Sequence, residues 1–177
     1  MPEAVIVATA RTPIGRAAKG SLNTVRPDDL TAGVINALFD KVPSVDRNQV
    51  EDLLLGCGQP AGMSGYNLAR VVAILADMPD VPGVTINRYC SSSLQAIRNA
   101  GHAIKAGEGD IFLAAGVETV SQFMSGMADG GPKNPLFDAA MDRTQARTAG
   151  DQGAWTAPVG LPDVYLAMGE TAENVAE

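Results

Sequence analysis

Over its first 116 residues the chain alternates between short apolar runs and amphipathic stretches, and this alternation limits the available folds more than any other feature. Residues 4–9 (AVIVAT), 50–57 (VEDLLLGC), 81–86 (VPGVTI) and 110–116 (DIFLAAG) are the strand candidates. Their nearly continuous apolar character suits strands covered on both faces. Residues 27–41, 66–77 and 91–106 are the helix candidates. Pro27 fits a first turn, and Asp28 and Asp29 suit the positive end of the helix dipole. The spacing places Leu30, Val34, Ala37 and Leu38 on one face of the first helix and Leu68, Val71, Val72 and Leu75 on one face of the second. In the third, Leu94, Ile97, Gly101 and Ile104 share a face, and Gly101 offers a place of close approach. Pro43 stops the first helix and Gly107 caps the third. The order strand–helix–strand–helix–strand–helix–strand predicts an α/β layered domain with a mostly parallel sheet. Ligands of such sheets gather at the carboxyl ends of the strands.

Cys90 stands at such an end, where the run to Ile86 meets the helix beginning at Ser91. Unpaired amides and the helix dipole favour a thiolate there, and Ser91, Ser92 and Ser93 leave room for a substrate. Two readings stay open on this ground alone: a catalytic thiol, or a small buried hydrophobe. Cys57 ends a strand in an apolar run and reads as a packed thiol. A cysteine nucleophile usually needs a base. The single histidine, His102, lies 12 positions along the same helix, about 18 Å away at 1.5 Å per residue, which is too far. It reads as a half-exposed helix residue. Glu51-Asp52 and Asp28-Asp29 read as solvated faces and helix-start charges rather than acid/base pairs. Arg11 and Arg16, in the polar loop that follows the first run, read as solvated, with an anionic ligand as the alternative.

The composition removes several classes of function. A net charge of −7 with scattered basic residues argues against nucleic-acid binding. Two cysteines 33 positions apart and one histidine give no zinc spacing. No apolar run approaches the ~18–20 residues of a membrane span, and the start carries no signal-peptide pattern. A cytoplasmic location with free thiols fits.

From residue 128 the texture changes. Periodicity is weak to residue 163, and about 35 structureless residues inside a compact domain would be unusual. The stretch therefore reads as an inserted or appended segment, with residues 1–127 as the α/β unit and 128–177 as the start of another. Trp155 either lines a groove or anchors this segment to the core, and residues 165–177 look helical.

The sequence around Cys90, Asn87-Arg88-Tyr89-Cys90-Ser91-Ser92-Ser93-Leu94-Gln95-Ala96, resembles the nucleophile motif of the thiolases, acetyl-CoA C-acyltransferases. Four further stretches agree in the same order. They are residues 8–15 (ATARTPIG), 58–70 (GQ through NLAR), 114–121 (AAGVETVS) and 168–176 (MGETAENVA). The resemblance implies a thiolase-like layered fold, here the N-terminal half, plus the beginning of an inserted loop domain that binds coenzyme A. It implies that Cys90 carries the acyl group as a thioester, that the Cys90 backbone N–H donates to the thioester oxyanion, and that Met168 lines the acyl pocket. The activating histidine and a second, proton-moving cysteine belong to the other half in that family. It implies acyl-CoA and coenzyme A as substrates, no permanently bound cofactor or metal, and a dimer or tetramer. It also implies a second polypeptide if this half is encoded alone. Two departures matter. Ser93 stands where the family usually has Gly, and Ala167 stands where many biosynthetic members have His. The alternatives are a truncated, non-catalytic thiolase-like module, or a related ketoacyl synthase, against which residues 168–176 speak.

Overall fold

A three-stranded parallel sheet organises the N-terminal part of the chain. The computed structural model describes residues 2–125, 127–151 and 156–176, so Trp155 lies outside the described residues. Contacts divide the chain into two compact units, Met1–Gly130 and Gly131–Glu177.

In the first unit the sheet runs β2–β1–β3, with β1 Asp52–Gly56, β2 Gly83–Ile86 and β3 Phe112–Gly116. The central strand β1 pairs in parallel on both sides, so Gly56 stands level with Ile86 and with Gly116. The period of two sorts its side chains. Leu53 and Leu55 join the cluster containing Ile35, Phe39, Leu68 and Val72, which come from α1 Pro27–Lys41 and α2 Leu68–Leu75. Leu54 faces the other way, onto Ala96 and Ala100 of α3 Ser92–Ala106. The result is a helix–sheet–helix sandwich, the layered α/β architecture that the alternation predicts.

The expected helices form, but their packed faces differ from those that spacing suggested. In α1 the buried residues are Pro27, Asp28, Thr31, Ala32, Ile35 and Phe39, and Ala37 is exposed. In α2 they are Leu68, Ala69, Val72 and Ala73, while Leu75 is half exposed. The difference is largest in α3. Small residues (Ser92, Ala96, Ala100) are buried, whereas Leu94 is 67% and Ile97 49% exposed. The sheet beneath explains this. An added Cβ at Gly56 would lie 2.4 Å from the Ser93 amide nitrogen, and one at Gly116 2.5 Å from Ser93 Cβ. The helix start is pressed so closely on the strand ends that only small side chains fit between. Gly101 approaches nothing within 4 Å and provides no close contact inside this chain. Gly107, with φ 77°, ends α3 through bonds from its own N–H to Ile104 O and from Glu108 N–H to Ala103 O.

Residues 4–9 form no strand. Val5, Ile6 and Val7 are about three-quarters exposed. The Lys41 ammonium donates to Thr9 O at 2.9 Å. A run that is apolar on both faces becomes a strand only when a neighbouring strand takes up its hydrogen bonds, and the three described strands pair without it.

In the second unit the stretch read as aperiodic contains a helix, α4 Asp138–Ala146. Its Ala, Met, Gln and Arg residues have high helix propensity, so it forms without an apolar stripe. Arg143 donates to Leu161 O at 2.7 Å, and Phe137 meets Tyr165 edge to face at 5.6 Å. The terminal helix, α5 Met168–Ala176, starts three residues later than the residues alone suggested. Arg147 of this unit bonds the Asn174 side chain on α5.

Candidate active site

Three strand ends converge on one cleft. From β1 come Gly58 and Gln59, from β2 Tyr89 and Cys90, and from β3 Val117 and Glu118, enclosing about 490 Å³. A cleft of that size, open on one side, admits a small acyl group and the end of a longer ligand.

Cys90 lies within a short 3₁₀ turn, Tyr89–Ser91, that runs directly into α3. Its side chain is exposed. The turn is held from both sides. The Tyr89 N–H donates to Asn87 Oδ1 at 2.8 Å, and the Arg88 N–H donates to Ser92 Oγ at 2.9 Å. Ser92 Oγ in turn donates to Tyr89 O at 2.6 Å. Ser93 fits because Gly116 beneath it has no side chain.

Cys57 is the opposite kind of thiol, 1% exposed. Its Sγ lies 3.9 Å from Glu118 Oε1, and the other carboxylate oxygen takes the Gly58 N–H at 2.8 Å. Burial, reinforced by the Glu118 charge, pushes the Cys57 thiol up, so it stays protonated near neutrality. The packed-thiol expectation holds. His102 is exposed on α3. That helix is continuous from Ser92 to Ala106, so the separation of about 18 Å from Cys90 stands.

Residue spacing did not single out the groups that aim the β2 end. Asn67, in the left-handed region at φ 53°, donates from Nδ2 to Gly83 O at 2.8 Å. Its Oδ1 accepts the Thr85 N–H at 3.0 Å. One side-chain amide thus satisfies the free edge of β2 as a neighbouring strand would. Arg70 donates to Val81 O and Pro79 O, both at 2.7 Å, fixing the approach to the same strand. Both residues fall in the 58–70 stretch that carried part of the resemblance, but their job is visible only in three dimensions. Gln59 and Tyr89 also converge, on Asp129, at 2.6 and 3.1 Å. Met168 opens α5 in the second unit and is 71% exposed.

An exposed thiol in a turn at the end of a parallel strand fits several enzyme classes, and comparison with known proteins separates them. The family model for the thiolase N-terminal domain matches residues 4–177. The chain belongs to the thiolase family. It is 40% identical to a 3-ketoacyl-CoA thiolase of Bacillus subtilis over 178 aligned residues, covering all of this chain and 40% of that protein. It is 42% identical to a beta-ketoadipyl-CoA thiolase of Acinetobacter baylyi, covering all of this chain and 43% of that protein. A beta-ketoadipyl-CoA thiolase of Pseudomonas knackmussii is 45% identical over 72% of the chain. The chain therefore spans about two-fifths of the length of the first of these relatives. Membership in the thiolase family replaces the ketoacyl synthase alternative.

Proposed function

We propose that this chain supplies the acyl-carrying part of a thiolase and that Cys90 is its nucleophile. The observation that carries the proposal is the contrast between the two thiols. Cys90 is exposed in a cleft at a helix start, and Cys57 is buried beside a carboxylate. In the degradative direction the Cys90 thiolate attacks the C3 carbonyl of a 3-ketoacyl-CoA. The carbonyl becomes an oxyanion, and its collapse breaks the C2–C3 bond. The acyl group remains on Cys90 as a thioester, and the departing carbanion takes a proton to become acetyl-CoA. The thiol of coenzyme A then gives up its proton, attacks that thioester, releases a shortened acyl-CoA and restores the thiolate. Exchange of one thioester for another changes bond energy little. In this reading the Cys90 N–H is one donor to the developing oxyanion. The groups that take and return the protons come from outside these 177 residues, as the resemblance to thiolases implies.

In the same reading residues 128–177 begin the loop domain that carries coenzyme A. The separation of the second unit near residue 130 supports that division. Met168 then belongs to the acyl pocket. The working protein is a dimer or tetramer in the cytoplasm that acts in fatty-acid or related acyl-CoA metabolism. It is completed by the remaining thiolase sequence in the same or a second polypeptide. No helix among the described residues is long and apolar enough to cross a membrane.

A second reading, a thiolase-like module without catalysis, is favoured by one observation: His102 is too far along α3 to serve Cys90. Cys90→Ser in the complete assembly separates the two. Acetoacetyl-CoA turnover should fall by at least ~100-fold, because a hydroxyl is far less ionised and a poorer nucleophile than a thiol. Acyl label from acetyl-CoA should be trapped on Cys90 of the unsubstituted protein. Turnover undiminished in Cys90→Ser, or label on another residue, ends the proposal.

A further inference from the structure

We propose that Ser92 is a positioning residue for Cys90, acting through the backbone of the Tyr89–Ser91 turn. The inference rests on Cys90 as the nucleophile and adds how it is presented. Tyr89 adopts φ 46°, a left-handed conformation that a bulky side chain rarely takes and that persists only where surrounding bonds impose it. Ser92 imposes it. Its hydroxyl reaches back across the turn, accepting from Arg88 N–H on one side and donating to Tyr89 O on the other. An ordinary helix-capping hydroxyl reaches forward to the amides of the first turn. This one faces the opposite way and closes the turn onto the helix.

Ser92 is 4% exposed, and its donor and an acceptor lone pair are both engaged within the turn, so its effect passes through the main chain rather than through the substrate. Its backbone is anchored from below. An added Cβ at Gly56 would lie 2.5 Å from Ser92 C, so the serine cannot drop toward the sheet. The turn is clamped between a strand end and a buried hydroxyl, with the Asn87 side chain holding Tyr89 N–H on the exposed side. Without the hydroxyl, Arg88 N–H loses its acceptor and Tyr89 O its donor, which weakens the hold on the left-handed turn that presents Cys90, the next residue, at the helix start.

The test is mass mapping of Cys90 and Cys57 after limiting iodoacetamide at neutral pH, on the complete assembly and on its Ser92→Ala and Ser92→Thr variants. Ser92→Ala should slow Cys90 labelling about fivefold, the scale of one lost hydrogen bond. Ser92→Thr, which keeps the hydroxyl, should restore the rate to within about twofold of the parent chain. Cys57 should stay protected in all three and serves as the internal gauge of folding. Ser92→Ala labelling at the parent rate overturns the proposal. So does Ser92→Thr as slow as Ser92→Ala, or Cys57 becoming labelled together with a change at Cys90, which would mark Ser92 as a fold residue only. Cys57 reacting first in the parent chain would instead overturn the nucleophile assignment beneath it.

Discussion

At the residue scale, environment rather than residue type divides the two cysteines. Cys57 is held protonated by burial and by Glu118, so it should resist iodoacetamide at pH 7 in the folded chain and react once urea unfolds it. Fast labelling of Cys57 under native conditions would contradict its 1% exposure. Asp28 shows the same logic with the opposite sign. Burial works to raise its carboxyl, but the Arg26 guanidinium, 2.7 Å away, and the Asp29 N–H outweigh it and lower the value. A depressed folded value means that the carboxylate contributes stability above the ordinary Asp range and loses it as pH falls through the folded value. Asp28→Asn should therefore cost about 1 kcal/mol at pH 7, shrinking toward zero in acid. Paired urea melts at neutral and acidic pH give the comparison. A cost that grows toward acid would rule out this origin.

At the element scale, the contact of α3 with the ends of β1 and β3 sets the site. Two glycines permit it, and they differ in what opposes them. At Gly116 an added Cβ meets the Ser93 side chain at 2.5 Å, whereas at Gly56 it meets main-chain atoms of residues 92 and 93. Gly116→Ala should cost about 1–3 kcal/mol by overpacking, and adding Ser93→Gly should recover roughly half or more of that loss. Gly56→Ala should cost at least as much, and Ser93→Gly should leave its loss in place, because backbone cannot retreat as a side chain can. Urea denaturation of the four variants decides it. Equal rescue at both glycines would show that the helix, rather than Ser93, yields.

At the scale of the whole molecule, the first unit has a completed core on the α1–α2 side of the sheet and an outer α3 surface still bearing Leu94 and Ile97. The run Val5–Ile6–Val7 is exposed as well. Exposed apolar groups of this extent favour association. Residues 1–177 alone should therefore migrate as oligomers or aggregates in light-scattering chromatography. They should also show no acetoacetyl-CoA turnover, since neither His102 nor Cys57 is in a state or place to serve Cys90. Adding the remaining thiolase sequence should reverse both. A monomeric, cooperatively melting and active 177-residue chain would overturn the two-part site.

The residues determined by themselves the alternation of strands and helices, the parallel sheet and the location of Cys90 at a strand–helix joint. Each of these depends on local periodicity or on the neighbours of a single residue. The packed faces of α1, α2 and α3 were displaced from the largest apolar residues because a helix face is chosen by what it lies against. Over Gly56 and Gly116 lie Ser92 and Ser93, and Ala96 and Ala100 pack on Leu54, while Leu94 is left exposed. Residues 4–9 have the composition of a buried strand and form none, because a strand is completed by a partner rather than by its own side chains. The helix α4 was missed for the converse reason: its propensity is local, but it lacks the apolar stripe by which helices are read. In the sequence Ser92 reads as a small neighbour of Cys90 and Asn67 as part of the second helix, which instead begins at Leu68. The Asn67 bonds depend on where the distant backbone of Gly83 and Thr85 arrives, whereas those of Ser92 are local in sequence and depend on the left-handed turn at Tyr89, which periodicity does not reveal.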